Sequence, residues 1–408
     1  MKLPGPIQKA PRELRRLGDQ IDDVLVAFLG LSLSRIYSRL FVQPRVRVVP
    51  GMLPFGTKVA IYLIFPSKGV LDSHFIALDY IRQSGYSPVV VSNLPLSQGD
   101  KAALLDKCAT LILRPNSGYD FGGYRDALRL LGGRVKGLDH LAIFNDSSWF
   151  PVDTDRHWLA EAEAKSLDFV GSVSSGGMDL ATPFDRDPVP WSIDFGRPLF
   201  HYSSYSLLIG PAILRDPRFG AFWRNYRPAS FKSYTIRRGE IGLSQWVITN
   251  GFTHGETLDA RNLPALLAEL PTHRLLEIAR NAITFDRPKP TDTRHDVLSA
   301  SPPDHSALVR LLLREVVKSG QAYCLQDFDT RERTGMFVKK LPIDLSRTAA
   351  DQTLRILDHR RSPQAAAFRD EALALYHQKY GAEAEPPTAA PTLQPCSADS
   401  ATTAPSRP

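Results

Sequence analysis

Cysteine is scarce in this chain. Its three cysteines, Cys108, Cys324 and Cys396, lie far apart in 408 residues and form no CxxC pair, which excludes a disulfide scaffold and a thiolate zinc site. A reducing cytoplasm is therefore the expected home. No apolar run reaches the roughly 18 residues of a spanning helix, and the amino terminus lacks the apolar core and cleavage site of a signal peptide. The short apolar run at 24–33 lies between Arg15, Arg16, Arg35, Arg39, Arg45 and Arg47. This pattern suits an amphipathic helix on an anionic bilayer, here the cytoplasmic face of an inner membrane, as well as a helix packed on the protein body. Basic blocks are also missing. The excess of 50 Lys and Arg over 43 Asp and Glu, a net charge of +7, is spread along the chain. It favours anionic partners such as nucleotides, phosphate-bearing lipids or an acidic membrane face without choosing among them, and no nucleic acid is expected. Phosphate-binding fingerprints are absent too: the glycine-rich stretch near residue 118 has no following Gly-Lys-Ser/Thr, and the Lys68-Gly69 loop is not GxGxxG.

The chain has 43% hydrophobic and 23% charged residues, the balance of a globular protein. Apolar runs at 59–65, 88–91, 110–113 and 140–144 alternate with helical periodicity at 73–84, 100–108 and 121–131. Strands alternating with helices predict an α/β fold, a doubly wound, mostly parallel sheet whose ligand crevice lies beyond the carboxyl ends of its strands. Phe65, Asn93, Arg114 and Asn145-Asp146 all fall at those ends. Further on come a helix at 158–165, a strand at 168–173, a long Gly/Pro/Asp-rich loop at 174–198, a strand at 201–210 and a helix at 240–250. Helices at 263–282 and 306–317 follow, broken near Pro288-Pro290 and Pro302-Pro303. From about 381 the composition turns to Pro, Ala, Thr and Ser, which predicts disorder.

Two stretches concentrate polar chemistry. In Arg114-Pro115-Asn116-Ser117-Gly118-Tyr119-Asp120-Phe121-Gly122-Gly123-Tyr124-Arg125, a strand passes through a glycine turn into a helix, whose amino terminus favours anions. Asn116 and Gly118 would form that cradle, Asp120 would cap it, and Arg114 or Arg125 would meet a phosphate. The plain alternative is a capped helix and nothing more. In Asn145-Asp146-Ser147, a carboxylate closing a buried strand is a hard oxygen ligand suited to Mg²⁺ or Mn²⁺ on a diphosphate. Its plain alternative is an Asp capping its own turn. Phe65 and Asn93 are the expected contacts of a nucleotide base. The run His201-Tyr202-Ser203-Ser204-Tyr205 offers hydroxyls and ring faces to a sugar acceptor, although alternating Tyr and Ser also suits a half-buried strand.

The series Asn-x-Gly-Tyr-Asp-Phe-Gly, Asn-Asp-Ser and His-Tyr-Ser-Ser-Tyr resembles the rhamnan synthesis protein F family, over about residues 59–251. The resemblance implies a GT-A-like glycosyltransferase of bacterial surface-polysaccharide assembly. Such an enzyme would move a sugar, rhamnose or another deoxyhexose on the family name alone, from a nucleoside-diphosphate donor to a glycan or lipid-linked glycan. By the same analogy Asp146 holds the metal-diphosphate, His254 is a late metal ligand, His201, Tyr202, Ser204 and Tyr205 face the acceptor, and Glu240 at a helix start is the catalytic base, with Asp168 and Asp194 as weaker candidates. Asn145-Asp146-Ser147 has one carboxylate where the GT-A pattern Asp-x-Asp has two, which leaves open a metal-free site or a non-catalytic glycan-binding or scaffolding protein. The expected organisation is a basic amphipathic segment at 1–50, the GT-A-like domain at 51–260, a helical extension at 261–380 and a disordered tail at 381–408.

Overall fold

The computed structural model describes residues 36–179, 181–229, 231–285, 293–333, 335–360 and 362–386. The apolar run at 24–33, the prolines at 288–290 and most of the expected tail lie outside them.

The four parallel central strands form where the sequence is mainly apolar, and shorter strands flank them. The strands are β1 (Arg47–Pro50), β2 (Lys58–Ile64), β3 (Ser87–Ser92), β4 (Thr110–Leu113), β5 (His140–Asn145), β6 (Ser148–Trp149), β7 (Phe169–Gly171), β8 (Ser174–Ser175), β9 (His201–Tyr202), β10 (Ser206–Ile209), β11 (His254–Glu256) and β12 (Val338–Lys339). Eight of them make one sheet in the order β1-β4-β3-β2-β5-β10-β7-β11. The neighbours β4-β3-β2-β5 are mutually parallel, and β10 enters antiparallel between β5 and β7. The expected mostly parallel α/β sheet is thus present, and the expected strand at 201–210 is two strands broken by Ser203-Ser204-Tyr205.

Unbroken apolar runs are explained by burial on both faces. Val59, Ile61 and Leu63 of β2 point to one side, into a core with Phe121, Tyr124, Leu128, Trp223 and Val247. Ala60, Tyr62 and Ile64 point to the other, among Leu78, Ile81, Phe150, Leu275 and Leu312. The strand period of two divides β5 in the same way, with Leu141 and Ile143 on the first face and Ala142 and Phe144 on the second. Helices Tyr119–Leu131, Pro217–Asn225 and Ile241–Thr249 cover the first face, while Asp72–Gln83, Trp158–Ala164 and the carboxyl-terminal helices cover the second.

The carboxyl-terminal part is no appendage. Leu275, Leu312, Phe328 and Phe337 share a core with the strands, and β12 pairs antiparallel with β6, with Lys339 opposite Ser148. The boundary expected at residue 260 therefore does not divide the packing.

One helix approaches the sheet unusually closely. A Cβ on Gly123 would stand 2.0 Å from Leu63 Cδ1, and one on Gly122 would stand 2.3 Å from the Ser117 carbonyl oxygen. Gly123 lets Tyr119–Leu131 sit close over Leu63 and Val91, and Gly122 leaves room for the Ser117 carbonyl of the loop that enters the helix. Gly122→Ala should lower stability by about 1–3 kcal/mol, because the atom it meets is backbone; denaturant unfolding checks this, and a midpoint equal to wild type would refute the close-packing account.

Candidate active site in the crevice

A cavity of about 700 Å³ opens at the carboxyl ends of β2, β3 and β5. Its walls include Phe65, Asn93, Asn116, Asp120, Asn145, Asp146, His201, Ser204, Tyr205 and Glu240. Ten residues singled out at six separate places in the sequence thus meet in one space. Phe285, Gln321, Tyr323 and Lys339 close it from the carboxyl-terminal side.

Asp146 follows the last residue of β5, and its backbone N–H donates to the Leu63 carbonyl. Its Oδ2 accepts from the Phe65 N–H at 2.6 Å and lies 3.3 Å from His74 Nε2. Because His74 Nδ1 accepts the Leu71 N–H, the ring proton belongs on Nε2, which donates to Asp146. Burial alone would raise this carboxyl's pKa; the His74 hydrogen bond, the Lys340 charge and the Phe65 N–H outweigh burial and hold it below the usual range, so the group is anionic. Asn145 is a positioning residue: its Nδ2 donates to Tyr124 Oη at 2.9 Å and its Oδ1 accepts the Ser147 N–H and Oγ–H.

Asp120 and Glu240 form a second acidic pair around Ser204. The Ser204 N–H donates to Glu240 Oε1 at 2.7 Å, and Ser204 Oγ lies 3.3 Å from Asp120 Oδ2. Burial, followed by the Glu240 charge, pushes the Asp120 pKa up to about 6. Glu240 does not start a helix, contrary to expectation. A π-turn, Ile236–Glu240, runs directly from Lys232–Thr235 into Ile241–Thr249, and Glu240 closes that turn. Such π-bulges rotate one residue out of register, frequently at functional sites. Gly239 makes room for it, since a Cβ there would lie 2.5 Å from the Phe121 ring.

Several predicted contacts are placed elsewhere. Arg114 is buried, donating to Asp126 at 2.9 Å, Asn93 at 2.5 Å and the Ser117 carbonyl at 2.6 Å. It holds the loop rather than a phosphate. Arg125 is buried beside Asp126, 3.7 Å away, and is not on the crevice wall. Gly118 caps the helix with φ +74° against Pro228, and Asp120 lies inside its first turn, where its Oδ1 accepts the Phe121 N–H. Tyr202 is buried and its hydroxyl pairs with His254 Nδ1 at 2.6 Å. His254 begins β11, level through Phe169 and Ile209 with Leu141, five residues before Asp146 on β5. It cannot share a metal with Asp146, because strand geometry separates the two levels by about 16 Å. Asp168 binds Thr253 at the sheet edge and Asp194 the Gly196 N–H, and neither lines the crevice.

A divalent ion bridging a diphosphate needs several hard oxygen donors. Asp146 offers one carboxylate with Oδ2 already engaged, and the described residues contain no group of three or more His, Cys, Asp or Glu able to hold a metal. The residues present do not form such a site by themselves.

Lys339 was missed in the sequence. It lies 192 residues from Ser147, to whose Oγ its Nζ donates at 2.8 Å, and its only local signal is a Lys-Lys pair after Phe337-Val338.

Comparison with known proteins fits these motifs. Residues 88–281 match the family of rhamnan synthesis protein F. The matched segment holds both polar stretches, β10 and Glu240, while Lys339 lies beyond it. An uncharacterized protein, y4gN, of Sinorhizobium fredii (strain NBRC 101917 / NGR234) is 30% identical over 244 residues, 60% of this chain and 59% of its own length. The chain thus matches about three-fifths of that curated relative. Two solved structures show slight likeness: core-mannan synthase A from Aspergillus fumigatus in its Mn/GDP form (TM-score 0.26, 11% identity, 45% of this chain and 70% of that one) and the mannosyltransferase Ktr4p of S. cerevisiae (TM-score 0.25, 9% identity, 49% and 66%).

The raised Asp120 pKa has a stability consequence. The folded chain holds this proton more tightly than the unfolded one, whose carboxyl titrates near 3.8, so stability is lost as pH rises from about 4 to about 6. Asp120→Asn should raise stability at pH 7, by an amount on the order of 1 kcal/mol, and flatten that slope. Thermal melts from pH 4 to 8 test this; a destabilised variant with an unchanged slope would contradict it.

Proposed function

We propose that the crevice is the donor and transfer site of a GT-A-like glycosyltransferase. It takes a nucleoside-diphosphate sugar, rhamnose or another deoxyhexose, and passes the sugar to a surface-polysaccharide or lipid-linked glycan hydroxyl. The observation that carries this reading is the convergence of Asp146, Asp120 and Glu240 on one cavity at the switch between β2 and β5, where open α/β sheets bind their ligands. The rhamnan synthesis protein F match supports the sugar class.

In this reading the acceptor approaches from the Ser204 and Glu240 side. Glu240 takes the proton of the attacking hydroxyl, the acceptor oxygen bonds to the anomeric carbon, and the bond from that carbon to the phosphate oxygen breaks. The nucleoside diphosphate leaves with the bonding electrons. Ser204 N–H holds one oxygen of Glu240 and leaves the other, 3.9 Å from His201 Nε2, toward the cavity. Phe65, 44% exposed on the cavity wall, offers a face to the nucleotide base.

Glu240→Gln should lower transfer about 10²- to 10⁴-fold while nucleotide affinity stays within a few-fold, as read by turnover and calorimetry. Loss of affinity instead would move Glu240 to the donor site, and undiminished turnover would refute its role as base.

Peripheral membrane attachment belongs to the same proposal. Ile36, Tyr37, Leu40 and Phe41 are each at least half exposed beside Arg39 and Arg45, a composition suited to an anionic interface. The double change Leu40→Asp, Phe41→Asp should move the protein from sedimenting with anionic vesicles to the supernatant without changing its melting temperature; unchanged sedimentation would sink this part.

A further inference from the structure

The crevice is acidic where a diphosphate must bind. Asp120, Asp146 and Glu240 all line it, and a nucleoside diphosphate adds negative charge among them. Some cation must offset this repulsion. Arg114 is spent on Asp126, Asn93 and Ser117, and Arg125 does not line the cavity. Lys340 pairs with Glu371 at 2.7 Å, and Lys232 is exposed at the rim.

Lys339 has the required position. β12 pairs with β6, and the Lys340 N–H donates to the Ser147 carbonyl at 2.9 Å, so this short strand is fastened beside Asn145-Asp146-Ser147. The Lys339 N–H is fixed by Gln326 Oε1 at 2.6 Å. Its ammonium donates to Ser147 Oγ at 2.8 Å and lies 4.1 Å from the centre of the Tyr205 ring. An ammonium has three N–H donors, and the Ser147 bond uses one. Burial lowers its pKa to about 8, against the charges of Glu240, Asp120 and Asp146, which favour the cation; near neutral pH it is mostly charged. A buried lysine facing three acids across an open cavity, at the point where a metal would be needed and a metal's ligands are lacking, has the properties of a phosphate-binding cation.

We propose that Lys339 binds the donor diphosphate and that this crevice needs no divalent metal ion to do so. The inference rests on the glycosyltransferase reading above and deepens it: the carboxyl-terminal part, outside the matched family segment, completes the donor site.

Calorimetric titration of the full chain with UDP, GDP and dTDP, in EDTA and again in MnCl₂, tests it. In the wild type at least one diphosphate should bind with affinities in the two buffers within about twofold. Lys339→Met should weaken that binding about ten- to a hundredfold, and Lys339→Arg should restore most of it. Melting temperatures of both variants within a few degrees of wild type establish that the fold persists; should the Met variant unfold, Lys339→Gln and the Arg variant carry the comparison. Binding that appears only with Mn²⁺ overturns the metal-free claim, and binding that the neutral variants leave intact overturns the role of Lys339. Both results would leave the glycosyltransferase reading standing. Absence of binding by any diphosphate to the wild type overturns that reading and this inference with it.

Discussion

The helix Tyr119–Leu131 lies close over β2 and β3 where Gly123 faces Leu63 and Val91, and much of the crevice depends on this contact. With Gly123 over Leu63, the helix lies near enough for Tyr124 to reach both Asn145 and the Ser204 carbonyl. Those two hydrogen bonds tie the end of β5 to the turn between β9 and β10. Asp120, one turn earlier on the same helix, is thereby brought to Ser204 and so to Glu240. A larger residue at Gly123 would press on Leu63, and one at Gly122 on the Ser117 carbonyl of the loop that enters the helix.

Burial of charge is the second constraint. The pair Arg114–Asp126 is almost wholly enclosed, with side chains 1% and 3% exposed. Breaking such a pair by removing one partner is costly, since it strands an uncompensated charge. Two further donors of the arginine draw Asn93 and Ser117 into the same network, so the crevice wall inherits its rigidity. By contrast Asp120 has no buried cation bonded to it and titrates high. Within the cavity, Asp120 is thus held high while Asp146, bonded to His74, is held low, which sets two carboxyls of one site apart in acidity.

The carboxyl-terminal helices take part in the site through β12. Its pairing to β6 sets Lys339 beside Ser147, and Tyr323 and Gln321 close the opposite wall. Residues far apart along the chain therefore share one cavity. Packing of Leu312, Phe328 and Phe337 under the sheet makes that arrangement part of the core rather than a docked accessory.

Local sequence determined the strands and their ends, because an unbroken apolar run buried on both faces has few other solutions, and the residues after each run must then line the crevice. It also marked Asp146, Asp120, Ser204 and Glu240, each next to a strand end, a turn or a helix. What it could not decide was where side chains go once several elements close around them. Arg114 and Arg125 carry the right charge for a phosphate, yet Asp126 draws them inward; His254 stands level with the wrong end of β5, which depends on register through three strand pairings. Glu240 reaches the cavity through a π-turn whose space comes from Gly239 facing Phe121. Lys339 came only with tertiary structure, since its proximity to Asp146 arises from pairing between segments nearly two hundred residues apart, and no local pattern encodes such a meeting.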